Sequence, residues 1–313
     1  MNLEPLTDAV GAAAAEVGAL DARFLLPALA LQLFALGLRA AAWRGVLAAA
    51  YPGRRIPLHS VAAAYVTGVA LNAFVPARGG EIAKIAILRS RIPGTTVPTI
   101  VASLTVVMVL DTVLGAALLV GMWGSGRLPV LPSPGDGGLL AIGALAAVAV
   151  ALALAVGYRL RPDAVRRTAA RTLQGFAILR TPGRYLVTVV PFQLGAWVAR
   201  IAIVFLVLSA FNIEASLTMA VLVVVLSGLA TATPVPGGAG AQQVLATYAL
   251  HGAVSAATAL SFSVGMQVGV TAVNTAVGLV TLMILFRTVR PRTALSSTRA
   301  LVARSRSRAG DEG

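Results

Sequence analysis

"NAFVPARGGEIAKIA", residues 72–86, interrupts a strongly apolar chain with a proline, two adjacent glycines and the charged side chains Arg78, Glu81 and Lys84. Proline and paired glycines end helices and leave backbone N–H and C=O groups without intrahelical partners. In lipid such groups are costly, so an unwound segment persists only where protein buries it or where it lines a wet cavity. The stretch therefore predicts a break between two membrane-embedded helices, the second of which begins at Gly80.

The composition is that of an all-α, polytopic integral membrane protein. The 313 residues are 58% hydrophobic and only 12% charged, with a mean hydropathy of +0.87. Several apolar runs reach the ~20 residues needed to cross a ~30 Å hydrocarbon core. The absence of cysteine excludes disulfides, iron–sulfur clusters and thiol catalysis. His59 and His251 lack metal-ligand spacing. We therefore expect no metal, no cofactor and no catalytic residues, and we predict that the chain is not an enzyme.

The distribution of arginine predicts the orientation of the chain in the plasma (inner) membrane. The net charge is +14, but the basic residues cluster between apolar runs, which favours positive-inside topology over nucleic-acid binding. The 159–184 loop and the tail at 287–313 are the most basic segments, so we expect both, and hence the C-terminus, to be cytoplasmic. The acidic segment 1–23 is expected to be extracytoplasmic.

A single transmembrane domain is predicted for residues 24–286, with halves at about 24–122 and 185–286. Apolar runs expected to span the membrane are 24–50, 97–122, 138–158, 185–211 and 254–286, the last of which either tilts or breaks near Gly265 and Gly269. Basic residues at 53–55 and 89–91 both favour the cytoplasm. Residues 58–88 must then enter the membrane and return to the same side. Residues 215–251 are predicted to re-enter from the opposite side.

Two similar motifs suggest that these re-entrant hairpins are related. "VPARGG" begins at Val75 and "VPGGAG" begins at Val235, 160 positions later, and each follows an apolar stretch of about one helix. Apolar segments broken by Gly and Pro at corresponding positions of two halves are typical of inverted-repeat transporters and mark their binding sites. The prediction is a fold with two re-entrant broken-helix hairpins and an inverted repeat.

The first break has the chemistry of an anion site, suited to a phosphate headgroup. A helix beginning at Gly80 would direct N–H groups toward it, and Arg78 and Lys84 would add positive charge. Glu81 could orient Arg78, carry a proton, or form a purely structural ion pair with Arg78. The candidate substrate-binding residues surround both breaks: Asn72, Pro76, Arg78, Gly79, Gly80, Glu81, Lys84, Pro236, Gly237, Gly238, Gly240 and Gln243.

Other charged residues lie within or near the apolar runs. Asp111 and Arg200 lie near the middle of predicted spans and are candidate intramembrane charges, paired with each other or with motif residues. A structural role and a transport role are both open for them. Arg39 and Arg44 are expected to snorkel to the cytoplasmic interface.

Four stretches carry a resemblance to a known family: "LRAAAWRGVL", "NAFVPARGGEIAK", "VVMVLDTVLG" and "PVPGGAGAQQ". Over nearly its whole length the chain resembles the flippase-like transmembrane domain family. This family is also called the lysylphosphatidylglycerol synthetase transmembrane region, and it includes the membrane half of the bacterial multiple peptide resistance factors. The resemblance implies translocation of a lipid or polyprenyl lipid between leaflets.

The chain departs from the family pattern in four ways. Gln243 stands where the family usually has Glu, which puts an acid–base role there in doubt. Val107 and Met108 stand where Glu-Arg commonly precedes the aspartate, so Asp111 lacks that local partner. The chain is also expected to lack an additional N-terminal span and the soluble aminoacyltransferase domain of the two-domain synthetases.

Three functions are compatible with these features. The first is a lipid or lipid-linked-glycan flippase, with an anionic phospholipid or polyprenyl-phosphate lipid held by its headgroup between the two hairpins. The second is an ion-coupled transporter of a small solute, whose activity would depend on titration of Glu81 or Asp111. The third is a non-transporting membrane partner of an envelope glycosyltransferase or aminoacyltransferase.

Overall fold

The computed structural model describes residues 21–73, 79–125, 170–230, 240–250 and 253–285. Within these ranges we number nine α-helices: α1 (Ala22–Ala50), α2 (Leu58–Asn72), α3 (Gly80–Arg91), α4 (Val97–Gly124), α5 (Pro182–Thr188), α6 (Val190–Ala210), α7 (Leu217–Ala230), α8 (Ala241–Ala249) and α9 (Ala256–Leu285). The same ranges contain a helical segment at 170–175, a 3₁₀ turn at Ala177–Arg180 and no β-strand. The all-α prediction is confirmed for this part of the chain.

Four segments are long and apolar enough to cross a membrane: Ala22–Ala50, Val97–Met122, Pro182–Ala210 and Thr258–Ile284. They match four of the predicted spans, and the fifth, 138–158, lies outside the described residues. α9 continues through Gly265 and Gly269 without a break. Its 30 residues extend about 45 Å at 1.5 Å per residue, which exceeds the hydrocarbon thickness and favours the tilted alternative.

The predicted break after residue 72 separates two short helices, and α3 begins at Gly80 as expected. α2 and α3 pack against each other as an antiparallel hairpin. The segments outside the hairpin also meet: the Arg54 guanidinium donates to the Pro93 carbonyl, and Thr96 N–H donates to the Tyr51 hydroxyl at 3.0 Å. Helices of 15 and 12 residues extend only about 22 Å and about 18 Å. Neither is long enough to cross a bilayer.

Two glycines allow the hairpin helices to approach closely. A Cβ added at Gly68 would lie 2.8 Å from the Gly80 carbonyl oxygen and would also collide with the Lys84 side chain. A Cβ at Gly80 would collide with the Gly68 carbonyl oxygen and would lie 2.6 Å from Asn72 Oδ1. Small residues are what let helix backbones pack this closely within membranes.

α1 contacts helices that are both near to it and distant from it in the sequence. It packs against α2, α4 and α6, and Gln32 on α1 donates to Asn274 Oδ1 on α9 at 2.9 Å. Trp43 on α1 is fully buried in the first core, and its Nε1 donates to Ser103 Oγ on α4 at 2.9 Å. Residues that face inward from α1 therefore lie among α2, α4 and α6.

The second core holds α6, α7 and α9 together around fully buried side chains such as Leu226 and Phe262. α8 packs against α7 and α9, while α9 also packs on α2, where Gly278 lies against Ala70. The break between α7 and α8, with Pro236, Gly237 and Gly238, lies outside the described residues. Only its far end, Gly240, is described.

Candidate functional site: a charged cluster between α1, α4 and α6

Asp111 joins three helices near the middle of the apolar spans. Its Oδ2 accepts a 2.9 Å hydrogen bond from Arg39 Nη1 on α1, which is also an ion pair. Its Oδ1 accepts a 2.9 Å hydrogen bond from Trp197 Nε1 on α6. Because each oxygen is used by a different helix, the carboxylate fixes α1 and α6 relative to α4.

The expectation that Arg39 snorkels to the interface is wrong. Its side chain is only 19% exposed and is paired with Asp111, whose side chain is 25% exposed. Arg39 lies in the interior of the 29-residue helix α1 and faces a carboxylate on the neighbouring helix. Pairing inside the protein therefore satisfies its charge without extension toward water. Arg44, in contrast, is exposed, and its Nε donates to the Ile56 carbonyl at 2.7 Å.

Arg200 lies on the same face of α6 as Trp197, three positions further along. It is partly buried, and Arg39, Asp111 and Tyr65 are close enough to interact with it electrostatically. Within the described part of the chain, no hydrogen bond or ion pair links Arg200 to another residue. The predicted direct pair of Asp111 with Arg200 is therefore wrong, and among the described motif residues none pairs with either of them.

We call Arg39, Asp111, Trp197 and Arg200 the charged cluster. Two guanidinium groups and one carboxylate give it a formal charge of +1. The Asp111 oxygens accept from Arg39 and Trp197, and in the described part of the chain neither oxygen accepts from Arg200. The cluster thus presents positive charge and unused guanidinium N–H groups at mid-span depth, a combination suited to an anion with several oxygen acceptors.

Tyr65 on α2 connects the charged cluster to the first hairpin. Its ring lies under the Lys84 ammonium, with Nζ 4.5 Å from the ring centroid, and it also interacts electrostatically with Arg39. The ring is 6.4 Å from that of Trp43, which is held by Ser103. A movement of the hairpin would therefore change the surroundings of Arg39.

Four of the predicted residues at the first break, Asn72, Gly80, Glu81 and Lys84, are joined by hydrogen bonds. Asn72 Oδ1 accepts the Gly80 N–H at 2.8 Å, which uses one of the N–H groups expected to bind an anion. Glu81 Oε1 accepts from Lys84 Nζ at 2.8 Å and from Asn72 Nδ2 at 3.3 Å. Gly79 directly precedes the helix, while Pro76 and Arg78 lie outside the described residues. Lys84 is balanced by Glu81, whereas the charged cluster has one more cation than anion.

Gln243 caps the helix that follows the second break. Its Oε1 accepts the Gly240 N–H at 2.6 Å, and Gly240 has a φ of +82°, a conformation that glycine adopts readily. Its Nε2 donates to Gln267 Oε1 on α9. A glutamine can accept from the backbone and donate to a second amide at once, which an ionised carboxylate cannot. The amide at position 243 thus has a structural function here.

Sequence reasoning identified Asp111 and Arg200 but not Tyr65, Trp197 or the role of Arg39. One sequence feature could have indicated the ion pair, because Arg39 and Asp111 are oppositely charged and both lie inside predicted spans.

The described ranges contain no group of three or more His, Cys, Asp or Glu side chains that could hold a metal ion.

Comparison with known proteins identifies the family. Residues 8–278 match the family described as the lysylphosphatidylglycerol synthase TM region. No curated protein matches the chain. The match covers most of the sequence and agrees with the four apolar helices of membrane-spanning length. This protein is therefore a multi-pass integral membrane protein that belongs to the lysylphosphatidylglycerol synthase TM-region family.

Proposed function

We propose that this protein moves a lipid with an anionic, phosphate-bearing headgroup between the two leaflets and that the charged cluster binds the headgroup. The observation that carries the proposal is the formal charge of +1 at mid-span depth, where Arg200 lies close to the Arg39–Asp111 ion pair but, among the described residues, forms no hydrogen bond or ion pair of its own. A charge inside the membrane is costly, and such residues are usually retained for a function.

Phosphate chemistry supports this choice of substrate. The Arg200 guanidinium has a planar set of N–H donors that matches two phosphate oxygens at once. The bound headgroup would bring the formal charge of the cluster close to zero if it carries one negative charge. Anionic phospholipids and polyprenyl-phosphate lipids both present such oxygens, and both are candidate substrates.

The first hairpin suggests a route for the headgroup. α2 and α3 are too short to cross the bilayer, and the segments at Arg54 and Pro93 lie together. We propose that this hairpin re-enters the membrane from the cytoplasmic side and that α7 and α8 do so from the opposite side. The two would then form an inverted repeat in the plasma membrane, with a cytoplasmic C-terminus and an extracytoplasmic N-terminus. A polar path beside Tyr65 would connect the first hairpin to the charged cluster.

Translocation in proteoliposomes tests the proposal. We expect the purified protein to move a fluorescent phosphatidylglycerol or a polyprenyl phosphate, measured by the fraction accessible to an external quencher. Arg200→Gln is expected to reduce the rate about tenfold or more, since hydrogen bonds to charged groups contribute roughly 1.5–3 kcal/mol. The matched control is Arg44→Gln, which removes an exposed arginine whose Nε bonds to Ile56.

The outcomes separate the proposal from its alternatives. Headgroup binding at the charged cluster is supported if the wild type and Arg44→Gln translocate the lipid and Arg200→Gln does not. Equal loss in both variants would assign the effect to surface charge. If no lipid moves but a soluble phosphate ester is transported, the protein is a solute transporter. If neither moves, a role as membrane partner of an envelope enzyme gains weight.

A further inference from the structure

We propose that a second, uncharged subsite between α1 and α9 binds hydroxyl groups of the headgroup, so that the preferred lipid carries a neutral polyol or sugar on its phosphate. This inference rests on the proposed function and deepens it by naming the part of the headgroup beyond the phosphate. The subsite consists of Gln32 on α1 and of Thr271 and Asn274 on α9, and we call it the polyol subsite.

A hydrogen-bonded pair of amides forms the centre of the polyol subsite. Gln32 Nε2 donates to Asn274 Oδ1 at 2.9 Å, and both side chains are partly buried on helices of membrane-spanning length. Among the described residues, neither Gln32 Oε1 nor Asn274 Nδ2 forms a further hydrogen bond. Reversing both amides would leave the same unused groups, one carbonyl acceptor and one NH₂ donor. A hydroxyl group donates and accepts, so it can bond to both amides at once.

Thr271 adds a hydroxyl group on the same face of α9. It lies three positions before Asn274, and its side chain is partly buried. Threonine in a helix often bonds to the carbonyl four residues earlier, as Thr281 does to Val277 at 2.7 Å, but within the described ranges the Thr271 hydroxyl forms no hydrogen bond. Unsatisfied polar groups are costly in hydrocarbon and persist where they meet water or a ligand.

The polar face of α9 is turned toward the protein. Gln267 lies one turn before Thr271 and accepts a hydrogen bond from Gln243 on α8, so this face continues toward the second break. The opposite face carries the exposed, apolar Ala272 and Ala276. The polyol subsite therefore lies on the inner side of α9, where a headgroup is shielded from the acyl chains.

The polyol subsite and the charged cluster share one face of α1. Gln32 precedes Arg39 by seven positions, which is two helical turns or about 10 Å. A headgroup whose phosphate lies at the charged cluster reaches the amide pair if it carries a polyol or a sugar ring. α1 and α9 contain no carboxylate, so a cationic amino group would find no counter-charge at the subsite, whereas neutral hydroxyl groups match it.

Two lipids of equal charge separate the polyol from the phosphate. Dioctanoyl phosphatidylinositol and dioctanoyl phosphatidylmethanol both carry a singly charged phosphodiester, and only the first adds a ring of hydroxyl groups. Isothermal titration calorimetry of the full-length protein in detergent measures both dissociation constants. We expect the wild type to bind phosphatidylinositol about tenfold or more tightly than phosphatidylmethanol, since each added hydrogen bond contributes roughly two- to tenfold.

Two substitutions in the polyol subsite should lower this preference. Thr271→Val keeps the shape of the side chain, removes no hydrogen bond seen in the described ranges, and is expected to lower the preference about two- to tenfold. Asn274→Leu removes the amide pair and is expected to abolish the preference. The matched control is Gln174→Leu, because the Gln174 amide bonds to the Ala50 carbonyl at 2.8 Å, outside the subsite. Arg200→Gln should weaken binding of both lipids alike.

Each result either supports or overturns the polyol subsite. A preference for phosphatidylinositol in the wild type and Gln174→Leu that Thr271→Val weakens supports it. Thr271→Val also decides the case if Asn274→Leu binds neither lipid. Equal affinity of the wild type for the two lipids, or a preference that Thr271→Val leaves unchanged, overturns the subsite and leaves the proposed function intact. Glycerophosphoinositol that binds as tightly as phosphatidylinositol would assign the subsite to a soluble phosphate ester and overturn a lipid ligand. Binding of neither lipid by the wild type contradicts both proposals.

Discussion

Replacing Arg39 with glutamine is expected to lower the stability of the protein more than any other single substitution in the charged cluster. The change leaves the Asp111 carboxylate inside the apolar spans with the Trp197 N–H as its direct partner. Removing one member of a buried ion pair costs roughly 2–4 kcal/mol here, because Arg200 remains nearby and offsets part of the loss. The thermal unfolding midpoint in detergent, followed by circular dichroism, measures the effect.

The double variant distinguishes an ion pair from simple packing. In Arg39→Gln/Asp111→Asn both charges are removed and the two amides can bond to each other, so much of the lost stability should return. If the decrease in the unfolding midpoint of the double variant instead equals the sum of the decreases in the two single variants, the two side chains act independently. The interaction seen between them would then contribute little.

Gly80→Ala is expected to separate the two helices of the first hairpin. A Cβ at this position would collide with the Gly68 backbone oxygen, which cannot rotate away as a side chain could. Overpacking of this kind typically costs roughly 1–3 kcal/mol. The shift would also break the 2.8 Å bond from Gly80 N–H to Asn72 and move Lys84 from the Tyr65 ring. We therefore expect lipid translocation to fall at least about tenfold.

Gly37→Ala is the control for that substitution. Gly37 lies within α1, and a Cβ there would meet no atom within 4 Å. Alanine in a helix interior is favoured over glycine by roughly 0.5–1 kcal/mol, so this variant should be as stable as wild type or more so. Unimpaired translocation by Gly80→Ala would show that the close approach at Gly68 is dispensable. Equal loss by Gly37→Ala would point to a general sensitivity of the helices to alanine.

For the described residues, the sequence was sufficient to predict the long apolar helices and the first break, because these features are determined locally. Proline and paired glycines after residue 72 predicted the break, and α3 begins at Gly80 because the chain can resume a helix only after them. The apolar runs likewise predicted four helices of spanning length, since length and hydropathy are properties of each segment alone.

Partners between distant helices could not be predicted in the same way. Arg39 and Asp111 are 72 positions apart, and Trp197 is 86 positions from Asp111, so their meeting depends on how α1, α4 and α6 pack. A tryptophan in an apolar span gives no sign by itself that its N–H is needed by a carboxylate. The first break was also expected to leave free N–H groups, but the Asn72 side chain folds back to bond with Gly80. Sequence spacing does not reveal such a contact.

Photocrosslinking locates the bound headgroup and so tests its binding at the charged cluster directly. A phosphatidylglycerol with a diazirine on its headgroup would be incorporated into proteoliposomes together with the protein. After irradiation, the labelled peptides would be identified by mass spectrometry. Headgroup binding at the charged cluster predicts labelling of the α4 and α6 peptides that contain Asp111 and Arg200. This labelling should be weaker in Arg200→Gln and should be competed by unlabelled lipid. Labelling confined to the arginine-rich ends of the helices, unchanged in Arg200→Gln, would contradict headgroup binding at the charged cluster.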